Sequence, residues 1–121
     1  MSLAVLVGVG LLGGLGAVAR FLLDGAVSRR TTGPFPWGTL TVNLSGAFVL
    51  GILVGAAVDG DAHRLAGTGL LGAFTTFSTL AFESHRLAED GRSRAAAVNL
   101  AASMVLGVLV AYAGRELGGA W

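Results

Sequence analysis

The chain has 121 residues, of which 54% are hydrophobic and 12% charged, with 20 glycines and a formal net charge of +1. A soluble domain carries about 25% charged residues; this chain is short of charge and rich in small residues, the composition of helices packed in lipid. The small net charge gives no sign of a nucleic-acid partner, all eight basic residues are arginine, and the absence of cysteine excludes disulfides, thiolate catalysis and cysteine-based metal sites.

A bilayer span needs about 20 mostly apolar residues, and four stretches qualify. The first covers residues 3–27. Its uncharged run over residues 1–19 lacks a basic leading segment and is longer than a usual signal-peptide core, so it reads as a retained span. Small residues four apart (Gly10 and Gly14, Gly13 and Ala17) suit close helix packing. Arg20, near the end of the span, is placed to snorkel to the interface, to pair, or to line a vestibule. The link over residues 28–36 (SRRTTGPFP) holds two prolines and a glycine that forbid a continuing helix.

The second span, residues 37–58, has no charge but contains Thr39, Thr41, Asn43 and Ser45. Thr39, Asn43 and Gly46 share one helical face. An intramembrane asparagine needs a polar partner, which makes Asn43 either interhelical glue or part of a pore. After a link over residues 59–64 comes a third helix, residues 65–90, apolar to 82 and polar beyond.

Glycines at 67, 69 and 72 weaken this third helix, and Thr75, Thr76, Ser78 and Thr79 follow around Phe77. The pattern predicts a break near the bilayer centre, where irregular backbone is tolerated only inside protein or beside a water-filled cavity. Its freed carbonyls suit a cation, and the N–H groups opening the second half suit an anion. The alternative is an intact packing helix whose hydroxyls bond back to their own carbonyls.

Residues 86–94, with Gly91 as the break, lead to a fourth span over 95–114, where Asn99 and Ser103 lie four apart. His63 and His85 sit at membrane edges with no metal-ligand spacing, and the serines form no triad pattern, so no enzyme is predicted. Links 28–36 and 86–94 share one side and carry Arg29, Arg30, Arg86, Arg92 and Arg94; Arg64 and Arg115 lie on the other. The positive-inside rule then favours an outside N-terminus, and insertion in both orientations stays open.

Three pieces together resemble the Fluc (CrcB) fluoride channels: Gly13 to Arg20 (GGLGAVAR), Pro36 to Gly46 (PWGTLTVNLSG) and Gly72 to Thr79 (GAFTTFST). They occur in family order across nearly the whole chain. The resemblance implies an all-α membrane protein with a broken third helix, assembled as an antiparallel dual-topology dimer. Two antiparallel pores would export cytoplasmic fluoride passively across the plasma membrane, with a structural Na⁺ at the centre and no organic cofactor.

By resemblance, Asn43, Phe77, Ser78, Thr79 and Ser103 belong to the fluoride pore and Arg20 to its entrance. The backbone carbonyls of Gly72 and Thr75 from each subunit would hold Na⁺. Asn99 stands where many members have tyrosine. The family's second pore phenylalanine is Leu80 here, which leaves open whether the chain pairs with a second copy or with a homologous subunit. Two other classes fit less well. A small multidrug/proton antiporter needs a mid-membrane acid, yet the first span has none before Asp24 and Glu83 sits at a helix end. A non-transporting helper protein leaves the hydroxyl cluster unexplained.

Overall fold

The computed structural model describes residues 2–120; Met1 and Trp121, the ends of the single 1–121 membrane domain expected, lie outside the described residues. Four helical spans among the described residues are long and apolar enough to cross a bilayer. The first is α1 (Leu3–Arg30), opened by Ser2, whose Oγ accepts from the Val5 N–H at 3.1 Å. It runs past residue 27 because Arg29 and Arg30 suit the negative end of the helix dipole. Extended Thr31 and Gly33, at φ 87°, then turn the chain.

The second span, α2 (Trp37–Gly55), starts after Pro36 and ends before residue 58, in a turn where Ala57 takes φ 57°. The third is composite: α3 (Gly60–His63), a π-helical stretch (Arg64–Leu71), α4 (Gly72–Phe74) and, beyond a break, α5 (Phe77–Glu89). It begins inside the expected link 59–64, because extended Asp59 caps it and the His63 N–H reaches the Asp59 carbonyl at 3.3 Å. A tight turn with Gly91 at φ 78° leads into α6 (Ser93–Gly118), longer at both ends than residues 95–114.

The glycines of the third span do more than weaken it. Across 64–71 the N–H groups reach one residue further back than in an α-helix, so that Gly72 N–H meets the Gly67 carbonyl. This stretch packs on α1, where a Cβ on Gly16 would strike the Leu70 carbonyl and one on Gly69 would press on Val9. The most extensive interface joins α2 and α6. There Gly51 and Gly55 face the carbonyls of Ala111 and Arg115, while Gly114 and Gly118 face those of Phe48 and Ile52. The two backbones touch, as small residues permit in lipid.

Leu40, Val42, Leu71, Leu80, Leu87 and Ala96 are buried between the helices, whereas Leu11 and Val108 are 72% and 70% exposed. An exterior of large apolar side chains on all-helical spans is the surface that hydrocarbon solvates and water does not. The chain is a multi-pass membrane protein.

Candidate functional site

The third span breaks at two threonines. Thr75 (φ −81°, ψ 156°) and Thr76 (φ −149°, ψ 117°) are both extended. The expected interruption is present, and it falls among the hydroxyl residues rather than at the glycines. Their β-branched side chains fit extended backbone, and each end of the break has a local stop. On the first side, the Thr75 N–H and Oγ1 both donate to the Leu71 carbonyl, at 3.0 and 3.1 Å. On the second, Thr76 caps α5, its Oγ1 accepting from the Thr79 N–H at 3.2 Å.

Asn43 spans the gap from α2. Its Nδ2 donates to the Thr76 carbonyl at 3.0 Å and its Oδ1 accepts the Thr76 N–H at 2.8 Å. The side chain therefore replaces the helix for one residue, satisfying both backbone groups of Thr76 at a depth where unpaired groups are costly. One N–H of the Asn43 amide remains over. The neighbouring hydroxyls of α2 behave differently: Thr41 and Ser45 bond back to the Trp37 and Thr41 carbonyls at 2.8 and 2.7 Å, as in an ordinary packing helix.

Proton counting separates the hydroxyls of α5. Thr76 Oγ1 donates to Thr79 Oγ1 at 3.1 Å. With that proton spent, the 3.3 Å contact between Thr76 Oγ1 and Ser78 Oγ has Ser78 as the donor. Thr79 is thus the one of the pair that keeps a free hydroxyl proton. The N–H groups of Phe77 and Ser78, in the first turn of α5, have no acceptor within the helix.

Asn43, Gly72, Thr75, Thr76, Phe77 and Leu80 line one open cavity of about 370 Å³. Four of the residues singled out by sequence, Asn43, Gly72, Thr75 and Phe77, thus meet at the break. Phe77 is 78% exposed, while Leu80 is buried. Thr79 lines a second cavity, bounded by Phe82, Glu83 and the link 34–36. Ser78 is exposed at the start of α5. Arg20 and Ser103 lie outside the cavity at the break.

Arg20 is half-buried on α1 and forms no ion pair with a carboxylate among the described residues. Asn99 is fully buried and donates to Ser84 Oγ at 2.9 Å, tying α6 to α5. The Thr39 and Ser103 hydroxyls, Glu83 Oε1 and Asn99 Oδ1 are buried without a hydrogen-bond partner among the described residues. Thr76 is the contributor that the sequence reading did not single out for the site. A threonine just before a helical half fits an N-cap, but three other hydroxyl residues around it hid which one caps.

The described residues contain no group of three or more His, Cys, Asp or Glu able to hold a metal. The oxygen donors at the break are neutral instead. A continuous α-helix would pair the Thr76 and Thr79 N–H groups with the carbonyls of Gly72 and Thr75. Here those N–H groups bond to Asn43 Oδ1 and Thr76 Oγ1. The two released carbonyls are a donor type that suits a hard monovalent cation.

Residues 7–115 match the family model described as CrcB-like protein, Camphor Resistance (CrcB). The chain is 53% identical over 116 residues to a protein of Mycolicibacterium paratuberculosis named fluoride-specific ion channel FluC 2, covering 96% of this chain and 95% of that one. A protein of the same name from Mycobacterium tuberculosis is 50% identical over 95% of this chain and 91% of its own. One from Clostridium acetobutylicum is 36% identical over 91% of this chain and 92% of its own.

Proposed function

The chain belongs to the CrcB family, and from that premise we propose that it is a non-enzymatic, fluoride-selective channel that lets the ion leave the cytoplasm passively across the plasma membrane. The observation that carries this reading is the break at Thr75 and Thr76, held open by Asn43 beside a cavity. Fluoride is small and strongly hydrated, so stripping its water inside a low-dielectric span requires replacement donors. The groups around the break are weak or neutral donors: the spare Asn43 N–H, the Thr79 hydroxyl, the free N–H groups of α5 and the positive edge of the Phe77 ring. No lysine, arginine or histidine lies at mid-depth in the last three spans, so no fixed cation would hold the anion too tightly to release it. Orphaned Ser103 Oγ and Asn99 Oδ1 on α6 support a polar track toward one membrane face, and Arg20 is assigned to an entrance.

The reading includes a second subunit in opposite orientation, facing the exposed Phe77 ring and the break. Gly72 and Thr75 carbonyls from both subunits would hold Na⁺, whose bound charge supplies a positive field beside the pores and links the two breaks. Phe77→Ile keeps an apolar side chain but removes the ring edge. In liposomes it lowers fluoride efflux by about fivefold, the loss of ~1 kcal/mol of edge contact, with the oligomer intact on gel filtration. Unchanged efflux would remove Phe77 from the pore.

A second reading, one half of a heteromeric channel, is favoured by Leu80, which lines the same cavity as Phe77. The arginine imbalance, five on the side of links 31–36 and 90–92 against two on the other, points the same way by giving the chain a preferred orientation. Under this reading Leu80→Phe raises the efflux of the chain reconstituted alone by about fivefold; no gain would favour a self-sufficient homodimer.

A further inference from the structure

Resting on the channel reading above, we infer that Asn43 and Thr76 are positioning residues for the cation site: their side chains take the two N–H groups that would otherwise occupy the Gly72 and Thr75 carbonyls. The bookkeeping is specific. In an unbroken α-helix the N–H of residue i bonds to the carbonyl of residue i−4, which pairs Thr76 with Gly72 and Thr79 with Thr75. Asn43 Oδ1 captures the first N–H at 2.8 Å and Thr76 Oγ1 the second at 3.2 Å.

The N–H groups between them, of Phe77 and Ser78, would pair with Ala73 and Phe74 in an unbroken helix and have no side-chain acceptor among the described residues. Side chains are thus spent on the two positions whose carbonyls are assigned to the ion. Leu71, by contrast, is doubly occupied, by the N–H and Oγ1 of Thr75, and so is withdrawn from any ligand role. The same two side chains open the anion cavity, which joins cation binding and pore shape in one set of bonds.

The test uses the full chain purified in detergent, with unfolding followed by heating over a range of NaCl, and N-methylglucamine chloride holding ionic strength constant. The parent protein is stabilised by Na⁺. Thr76→Ser retains the capping oxygen and keeps the parent's half-effective Na⁺ concentration. Thr76→Val retains shape but has no acceptor, so the Thr79 N–H returns to the Thr75 carbonyl. It then needs about fivefold more Na⁺, the scale of one backbone hydrogen bond. Thr76→Ala, equally without a hydroxyl, serves if the valine variant does not fold.

An unchanged Na⁺ midpoint in the valine or alanine variant, with a Na⁺ response in the parent, would overturn the positioning role and leave the channel reading standing. Absence of any Na⁺ response in the parent would overturn the cation site and this inference with it, while fluoride efflux would still report on the pore.

Discussion

Asn43→Leu lowers fluoride efflux several-fold or more while leaving the helical content and the oligomer in place. Leucine fits the volume but cannot bond to Thr76, whose N–H and carbonyl lose partners at 2.8 and 3.0 Å. Two lost hydrogen bonds at about 1 kcal/mol each bias the open break by ~2 kcal/mol. The chain has an easy escape: the Thr76 N–H returns to the Gly72 carbonyl and the helix closes. Closing turns the residues beyond the break about the helix axis, at about 100° per residue, so that Phe77 leaves the cavity. A 2 kcal/mol shift lowers the open-to-closed ratio by about 30-fold, and the flux falls with the open population. Efflux from liposomes, with gel filtration and circular dichroism as controls, checks this; efflux above half that of the parent would show that Asn43 does not hold the break.

Gly114→Val has its effect on the fold rather than on the pore. A Cβ at this position would collide with the Phe48 carbonyl and press on the Ile52 N–H, both backbone groups of α2 that cannot rotate aside. The helices must separate, and overpacking of this kind costs about 1–3 kcal/mol even where side chains can yield. Separation also weakens the neighbouring contacts at Gly51, Gly55 and Gly118, so the expected loss is at the top of that range or beyond. The variant unfolds at lower SDS fraction than the parent or fails to survive extraction. Gly107→Val, on the same helix but facing open space within the chain, leaves this helix pair intact. Equal stability of the two variants would mean that the α2–α6 contact is not the main brace.

The parts legible in sequence were those governed by local pattern. Apolar runs of span length mark the four helices, because the length of a bilayer crossing is fixed by the hydrocarbon. The interruption in the third span could be read from glycines followed by β-branched hydroxyl residues. Its position at Thr75 and Thr76, three residues past Gly72, could not, because it is set by Asn43, 33 positions from Thr76 and on another helix. Nor does propensity distinguish a weakened α-helix from π winding over Arg64–Leu71; that choice follows from packing of Gly69 and Leu70 on α1. The helix ends moved for simple reasons: Arg29 and Arg30 are good C-terminal residues, and Asp59 is a good start. The hydroxyls of α2 and α5 look alike in sequence. Only their bonding separates Thr41 and Ser45, which back-bond, from Thr76, which caps, and Thr79, which keeps its proton.

If neutral donors at a gap in a membrane helix replace the water of fluoride, the pore passes that ion and rejects a larger halide. The direct measurement is efflux from liposomes loaded with equal potassium fluoride and potassium chloride, reconstituted with this chain alone and read by ion-selective electrodes after valinomycin addition. Fluoride should leave and chloride should stay inside. Chloride leaving as fast as fluoride, or neither leaving while the Leu80→Phe variant is also silent, would rule out a fluoride-selective pore at this break.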